Sequence, residues 1–498
     1  MLFRSGFSAP FVRAAVMFAV LTLARRPGLP SDGVTRLGAA MLFLLAIRPM
    51  EAVSSGFALS LAASAGIMLL SEPLAELLHL RGALERRRVR GWLRRRAQEA
   101  RVYFAGLLVG SLAAQFAILP VVIANFGVQS VVSLPFNLVC VPLCMLGYLA
   151  ALLAMALSVF WLPMGLGAGW IADGLLSLLG RVARWSAALP VTELRVGRYP
   201  WWLIAAHAAI LLAASGLTRL PVRRRKWLAL GLVAVAALSS LNTWARALPF
   251  SITFLDAGQA DCAVVRTLGH TYLIDAGDTY TPAADYLSAT CLHLDGVVLT
   301  HPHQDHAGGL TDILTVFRPD AIYVPVGWYG VEDVSPAVTE GMDLAAEMGV
   351  PVVELAAGDA LRLSGSAVLS VLSPDREGEP GCVNDMSLLT LLSCGGQDVL
   401  FMGDLTMEGE PEAVPDADIL KVAHHGAKDA TSAAFLAAAS PGIAVISVGE
   451  NKFGHPAEET LAKLEAAGAQ ILQTRDEGAI SMTWLGGKWR IRTYHGGV

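Results

Sequence analysis

The residues best suited to chemistry stand together in Thr300-His301-Pro302-His303-Gln304-Asp305-His306-Ala307-Gly308-Gly309-Leu310. Three histidines and one aspartate fall within six positions. Neutral imidazole and carboxylate are the donors that zinc and similar divalent ions take, and hydrolytic metal sites keep a position open for water. The plain alternative is a solvated, histidine-rich loop, but irregular loops seldom gather H-x-H-x-D-H directly behind a strand. More donors follow along the chain: Asn384-Asp385, then Asp404, then His424-His425-Gly426, then His455 in Asn451-Lys452-Phe453-Gly454-His455-Pro456. Asp385 is open to two readings, a hard oxygen ligand that moves preference towards manganese or magnesium, or a loop cap. His455 is read as a site residue or as a surface-loop histidine. Hydrolysis by activated water needs no serine or cysteine, so no covalent nucleophile is assigned.

These donors need rigid elements beneath them. Gly296-Val297-Val298-Leu299 is a short apolar, β-branched run that reads as a buried strand aiming the imidazoles at one spot. A strand opens at Ser251, and Leu255-Asp256-Ala257-Gly258-Gln259-Ala260-Asp261 turns it into a hairpin over 263–266 and 272–274. Asp275 ends that hairpin, either as a turn cap or as support for the metal loop. Helices are expected over 309–317 and around 343–347. Strands are expected over 361–372, over 399–402 ahead of Asp404, over 417–422 ahead of His424, and over 443–448 ahead of His455.

The H-x-H-x-D-H run resembles the central motif of the metallo-β-lactamase fold superfamily. The resemblance implies an α/β αββα sandwich in which His301 and His303 hold a first metal and Asp305 and His306 a second. Asp404 would bridge the two, and His424 would close the second site. His425 and His455 are then left, with Asp305, for catalysis, the histidines serving substrate or proton transfer. Asp275 would orient a ligand from behind. The implied cofactor is a pair of divalent ions, zinc or manganese. Many superfamily members carry a third first-site histidine where Asn384-Asp385 stands here. Lys421, Lys428 and Lys452, close to these motifs, are candidates for a local positive rim, which sequence alone does not decide.

Composition divides the chain into two objects. Hydrophobic residues make up 54% and charged residues 16% of 498, with mean hydropathy +0.53. Soluble domains carry about 25% charged residues, so part of this chain belongs in a membrane. The net charge of −5 hides +17 over residues 1–250 and −22 over residues 251–498. The expected domains are 1–248, a polytopic α-helical membrane domain, and 249–498, the α/β domain. Spans are expected over 8–24, 52–70, 103–125, 131–162 (one helix, or two broken near Pro135 and Pro142), 200–217 and 227–247. The segment 37–48 is short, and 166–190 reads as an amphipathic interfacial helix. Arginines between Arg86 and Arg101 mark a cytoplasmic surface. Arg223, Arg224, Arg225 and Lys226 do the same one helix before the acidic half, which places that half on the outer face of the cytoplasmic membrane. None of the six cysteines forms C-x-x-C, and no cleavable signal peptide is evident.

The apolar half carries a resemblance of its own. Ser8-Ala9-Pro10-Phe11-Val12-Arg13-Ala14-Ala15-Val16-Met17, Ile47-Arg48-Pro49, Gly56-Phe57-Ala58-Leu59-Ser60-Leu61-Ala62-Ala63, and Leu134-Pro135-Phe136-Asn137-Leu138 before Val141-Pro142 resemble the competence domain of the ComEC family of DNA-uptake channels. Their order ahead of the metal motif makes the resemblance specific. It implies an inner-membrane channel that passes single-stranded DNA while the metal domain degrades the other strand. Its implied partners are DNA, membrane lipid, a competence DNA receptor, a cytoplasmic translocase and further copies of the chain. Members of that family usually begin with extra membrane helices and an OB-like domain. This sequence starts in the competence domain, so it either lacks an N-terminal part or is a shortened relative. The alternative is a membrane-anchored phosphodiesterase or esterase without transport. A charge of −22 sits awkwardly with DNA, whose binding relies on Lys and Arg against phosphate.

Overall fold

The computed structural model describes residues 33–85, 91–130, 132–187, 189, 193–199, 201–215, 217–218, 220–332, 334–365, 367–378 and 381–494, with Val16, Ala19 and Thr22. Apart from those three residues, the expected span 8–24 lies outside the described residues, as do Arg86, Arg87, Arg88 and Arg90. The chain divides into two units, Met1–Ser240 and Leu241–Val498.

The first unit is helical. Its helices are α1 (Gly33–Ile47), α2 (Ser55–Leu77), α3 (Trp92–Phe126), α4 (Ser133–Phe160), α5 (Leu162–Ala187), α6 (Trp201–Ala214) and α7 (Val222–Arg246), the last running on into the second unit. Five of them, α2, α3, α4, α5 and α7, are long and apolar enough to cross a membrane. Of the two readings for 131–162, the single helix is the one seen, over Ser133–Phe160: Pro135 lies in its first turn, where no intrahelical N–H is needed, and Pro142 is accommodated inside it. Residues 166–187 fall in α5, which is long and apolar enough to count among the candidate spans. The arginines from Arg94 to Arg101 form the first turns of α3, whose 35 residues extend about 50 Å, beyond the ~30 Å apolar core of a bilayer. Large apolar side chains face outward, Phe160 88% and Trp170 81% exposed, as suits a lipid solvent. Among the polar residues within these helices, Gln115 donates to Ser133 Oγ at 2.6 Å and accepts from Gln129, and Asn125 donates to the carbonyl of Val121. A short antiparallel pair, β1 (Val128–Ser130) with β2 (Glu193–Arg195), joins two connecting segments.

The second unit is a four-layer αββα sandwich, the metallo-β-lactamase fold. Its first sheet runs in the order β17-β16-β3-β4-β5-β6-β7-β8. These strands are β3 (Ser251–Phe254), β4 (Ala263–Thr267), β5 (His270–Ile274), β6 (Gly296–Val298), β7 (Ala321–Pro325), β8 (Val352–Leu355), β16 (Ala479–Trp484) and β17 (Trp489–Tyr494). The second sheet, β15-β14-β13-β12-β11-β10-β9, is built from β9 (Ala360–Ser364), β10 (Ala367–Ser373), β11 (Leu389–Cys394), β12 (Gln397–Phe401), β13 (Ile419–Lys421), β14 (Ile443–Ile446) and β15 (Gln470–Gln473). Alternate residues such as Ile252, Phe254, Val265, Leu392, Phe401 and Ile480 fill the space between the sheets. Helices α8 (Ala283–Thr290), α9 (Gln304–Ala307), α10 (Leu310–Val316) and α11 (Pro336–Glu347) cover the outer face of the first sheet, where Val264, Leu273 and Ile322 meet Leu287, Leu310 and Val338. Helices α12 (Ala433–Ala439) and α13 (Glu458–Ala466) cover the second sheet through Leu436 and Leu464 on Leu420 and Ala444. Strands β6, β7, β13 and β14, each with parallel neighbours on both sides, are buried over nearly their whole length and read as continuous apolar runs, as parallel central strands do.

Candidate metal centre

Apart from Asp385, which lies in the turn just before β11, the expected donors lie in loops that leave the C-terminal end of a strand: Asp275 after β5, the His301 loop after β6, Asp404 after β12, His424-His425 after β13 and His455 after β14. Two donor groups converge. Asp305, His306, Asp404 and His425 offer one ligand atom each within 4.8 Å of one another, and His301, His303 and Asp404 do the same. Asp404 belongs to both groups.

Partners behind the imidazoles set which nitrogen faces the centre. His306 donates from Nδ1 to Asp275 Oδ2 at 2.8 Å, which leaves Nε2 facing Asp404 Oδ1 at 3.1 Å. His425 donates from Nδ1 to the Ser447 carbonyl at 2.9 Å, leaving Nε2 at 3.2 Å from Asp305 Oδ2. His301 places Nε2 at 2.9 Å from His303 Nδ1 and 3.7 Å from Asp404 Oδ2. Thr300 ties the loop down from below, its N–H and hydroxyl both donating to Asp275. Ser387 Oγ accepts from the Asp404 N–H at 3.0 Å. Gly403, at φ +54°, has no room for a side chain: a Cβ there would meet Ser387 Cβ at 2.8 Å and Thr300 Cβ at 3.1 Å.

The electrostatics are those of a cavity made for cations. Burial alone would raise the Asp404 pKa, but His306, His301 and His425 around it hold it well below the usual carboxylate range. Burial opposes protonation of His306, yet Asp404 and Asp275 outweigh it and raise its pKa well above the ordinary histidine value. His425 is raised in the same way by Asp261, Asp305 and Asp404 against its burial. His301 and His303 are lowered by burial, so they stand neutral and ready to ligate. His306 Nε2 and Asp404 Oδ1 are both buried and, apart from facing each other at 3.1 Å without hydrogen-bond geometry, have no partner among the described residues. Orphaned donors on this nitrogen-rich, carboxylate-bridged set fit a pair of divalent ions.

His425 joins the second donor group. His424 Nε2 stands 3.7 Å from Asp404 Oδ2, as His301 Nε2 does, and its ring lies 5.5 Å from that of His455. Both His425 nitrogens are engaged, by the Ser447 carbonyl and by Asp305. Asp385 lies in neither donor group. It accepts from the Thr406 hydroxyl at 2.6 Å and from the Thr406 N–H, which is the loop-capping reading. The lysine rim does not form, because Lys421 is buried and ion-paired with Asp261 at 2.6 Å, and Lys428 pairs with Glu459 at 2.8 Å. His455 lies against His424: Asn451 accepts from the Phe453 and His455 N–H groups and donates to the His455 carbonyl, closing the loop that holds the two rings 5.5 Å apart. Burial and the neighbouring His424 lower the His455 pKa, which keeps it neutral near pH 7.

Sequence reasoning passed over Asp261, Thr300 and Ser387 as working residues. Asp261 receives the Asp305 loop through its own N–H, donating to the Asp305 carbonyl at 3.0 Å, and its Oδ1 lies 3.5 Å from His425 Nδ1. The only trace in the sequence is its place at the end of the hairpin turn.

Residues 2–221 match the family described as Competence protein, and residues 255–450 match the Metallo-beta-lactamase superfamily. Over 523 aligned residues the chain is 25% identical to ComE operon protein 3 of Bacillus subtilis (strain 168), covering 98% of this chain and 63% of that protein. The chain thus spans under two thirds of that relative's length. Over 62 residues, 12% of this chain and 24% of the relative, it is 42% identical to a Hydroxyacylglutathione hydrolase of Aeromonas salmonicida (strain A449). The crystal structure of human tRNase Z, short form, aligns at 17% identity and TM-score 0.30 over 46% of this chain and 98% of that one.

Proposed function

This chain joins a Competence protein domain to a Metallo-beta-lactamase superfamily domain, and from that pairing we propose a DNA-internalisation protein of the cytoplasmic membrane. In this reading the soluble unit hydrolyses phosphodiester bonds of the strand that is not taken in. The functional boundary falls at 248/249, between α7 and β3. The observation that carries the hydrolytic part is the sharing of Asp404 between two donor groups that gather at strand ends from both sheets, β6 in one and β12 and β13 in the other. His301, His303 and Asp404 would hold one divalent ion, and Asp305, His306, His425 and Asp404 the other. Four imidazoles in the set favour zinc, since Asp385 no longer argues for a harder ion. When bound, such ions lower the pKa of water and clamp the oxygens of a phosphodiester.

The chain's own residues do the rest. Asp275, Ser447 and Thr300 lock the ligand imidazoles in one tautomer and one direction. His424 and His455, neighbours on the open side, meet the substrate. His455 is neutral near pH 7 and so offers one N–H to a phosphoryl oxygen. The basic cluster of Arg223 to Lys226 supports a cytoplasmic start for α7 and hence an outward-facing soluble unit. Partners in this reading are DNA, lipid, a DNA receptor and a cytoplasmic translocase.

The short match to a Hydroxyacylglutathione hydrolase favours a second reading, a membrane-anchored hydrolase of small esters that transports nothing. Labelled-DNA uptake separates the two. Deleting the gene should abolish uptake. Replacement by Asp404→Ala should abolish entry of duplex DNA while pre-denatured DNA still enters in part. Normal duplex uptake by the Asp404→Ala strain would overturn the coupling and leave the anchored hydrolase.

A further inference from the structure

The outer face of the first sheet is covered by helices only over part of its width, and the groove beside them carries three arginines against one carboxylate, Asp256. Side chains alternate along a strand, and Ile252, Phe254, Ile480 and Met482 point into the core. Their neighbours therefore point outward, and the strand register sets them in rows. Thr483 lies opposite Ser251, which lies opposite Arg266. Arg492 lies opposite Ser481, which lies opposite Thr253. Together with Arg246, Tyr286 and Tyr494 these rows line a groove of about 720 Å³ that reaches Asp256.

Arg266 forms the floor of this groove and is only 6% exposed. It donates to Tyr286 Oη at 3.1 Å and to Thr290 Oγ1 at 2.6 Å, and its guanidinium carbon stands 5.2 Å from the centre of the Tyr286 ring. Its Nε is buried with no hydrogen-bond partner, and among the described residues no carboxylate pairs with it. A buried cation without an anion is costly, and the usual remedy is a counter-charge from a bound group. Arg246 and Arg492, both exposed and likewise without a carboxylate partner among the described residues, add two cations to the same lining. Three arginines, a row of hydroxyls and two tyrosine rings make a positive groove with stacking faces, the chemistry that holds single-stranded nucleic acid. A lipid site would need aliphatic walls for acyl chains, and of the lining residues only Pro282 and Ala479 are aliphatic.

We propose that this groove binds the phosphodiester backbone of a single-stranded nucleic acid, with Arg266 taking a phosphate at its floor and Arg246 and Arg492 at its rims. The site stands apart from the metal donors and rests on its own lining, not on the hydrolytic reading. It gives a strongly acidic unit one local cationic surface on which a strand can lie.

The test uses the full chain in detergent with excess chelator and a fluorescein-labelled oligothymidylate, read by anisotropy across a salt series. Arg246→Gln combined with Arg492→Gln changes two exposed residues and leaves the fold intact. It should weaken binding about tenfold or more at low salt and make the log–log salt slope shallower by about 1.4, at ~0.7 per phosphate contact on a single strand. Arg266→Lys should weaken binding while keeping the charge, because it loses the fork that meets two phosphate oxygens. Equal affinity and equal slope in all variants would overturn the site. So would a loss of binding to short-chain phosphatidylglycerol with oligonucleotide binding unchanged, which would make it a lipid-headgroup site. With metal chelated throughout, failure of the hydrolytic reading would leave this result untouched.

Discussion

At His424 the backbone turns left-handed (φ 48°, ψ 47°) and it stays so through His425 (φ 54°, ψ 23°) before Gly426. Each non-glycine residue in that region costs on the order of 1–3 kcal/mol, and such strain persists where surrounding contacts demand it. Here the turn sends consecutive side chains apart, His425 back onto Asp305 and Ser447, His424 outward to His455. Metal content is the measurement. His425→Ala should lose about one ion per chain, because it removes one of four donors in the second group. His424→Ala should keep both ions and lose turnover. Retention of metal by His425→Ala with loss in His424→Ala would reverse the assignment. In the same titrations, binding must displace protons from His306 and His425, whose pKa values are raised in the metal-free chain. Affinity should therefore rise with pH through the neutral range, and the calorimetric heat should depend on the buffer's ionisation enthalpy.

Between elements, Lys421 at the end of β13 reaches Asp261 beyond β3, their side chains only 4% and 5% exposed. This pair fastens the two sheets beneath the metal loops, since Asp261 also donates its N–H to the Asp305 carbonyl. A buried ion pair gains little over an apolar pair, but removing one partner strands a charge. Lys421→Met should destabilise the soluble unit by about 3–5 kcal/mol, read by chemical denaturation, and Lys421→Met with Asp261→Leu should recover much of it. Equal stability of the single variant and the native chain would show that water reaches Asp261 and that the pair holds nothing together.

For the whole molecule, topology is the open quantity with the largest consequence. Arg223, Arg224, Arg225 and Lys226 open α7, and the acidic unit begins at its far end. A reporter active only outside the cytoplasm, joined directly after Pro249, should be active, and a paired reporter active only inside should be silent. The opposite pattern would put the metal donors with cytoplasmic substrates and favour the hydrolase that does not transport. The same charge asymmetry, +17 before residue 251 and −22 from there on, keeps most of the soluble unit's surface unattractive to nucleic acid. The arginine groove and the metal donors are the exceptions.

Sequence alone determined the class of each half and the kind of chemistry. Hydropathy decides burial in lipid or protein whatever the tertiary contacts, and H-x-H-x-D-H behind a β-branched strand carries its ligands within one loop, where local geometry suffices. The same reasoning found Asp404 and the loops of His424, His425 and His455, because each follows an apolar strand. Only tertiary structure decided between neighbours. Which way His424 and His425 turn depends on a left-handed backbone that only surrounding contacts can impose on two non-glycine residues, and on Asp305, 120 residues away. Asp385 became a loop cap because Thr406, and not the donor cluster, meets its carboxylate. Lys421 left the candidate rim for the interior because Asp261, 160 residues earlier, supplies the counter-charge that makes its burial tolerable. The arginine groove was invisible for the same reason. Arg246, Arg266 and Arg492 are scattered in sequence, and only the register of four strands sets two of them on one face.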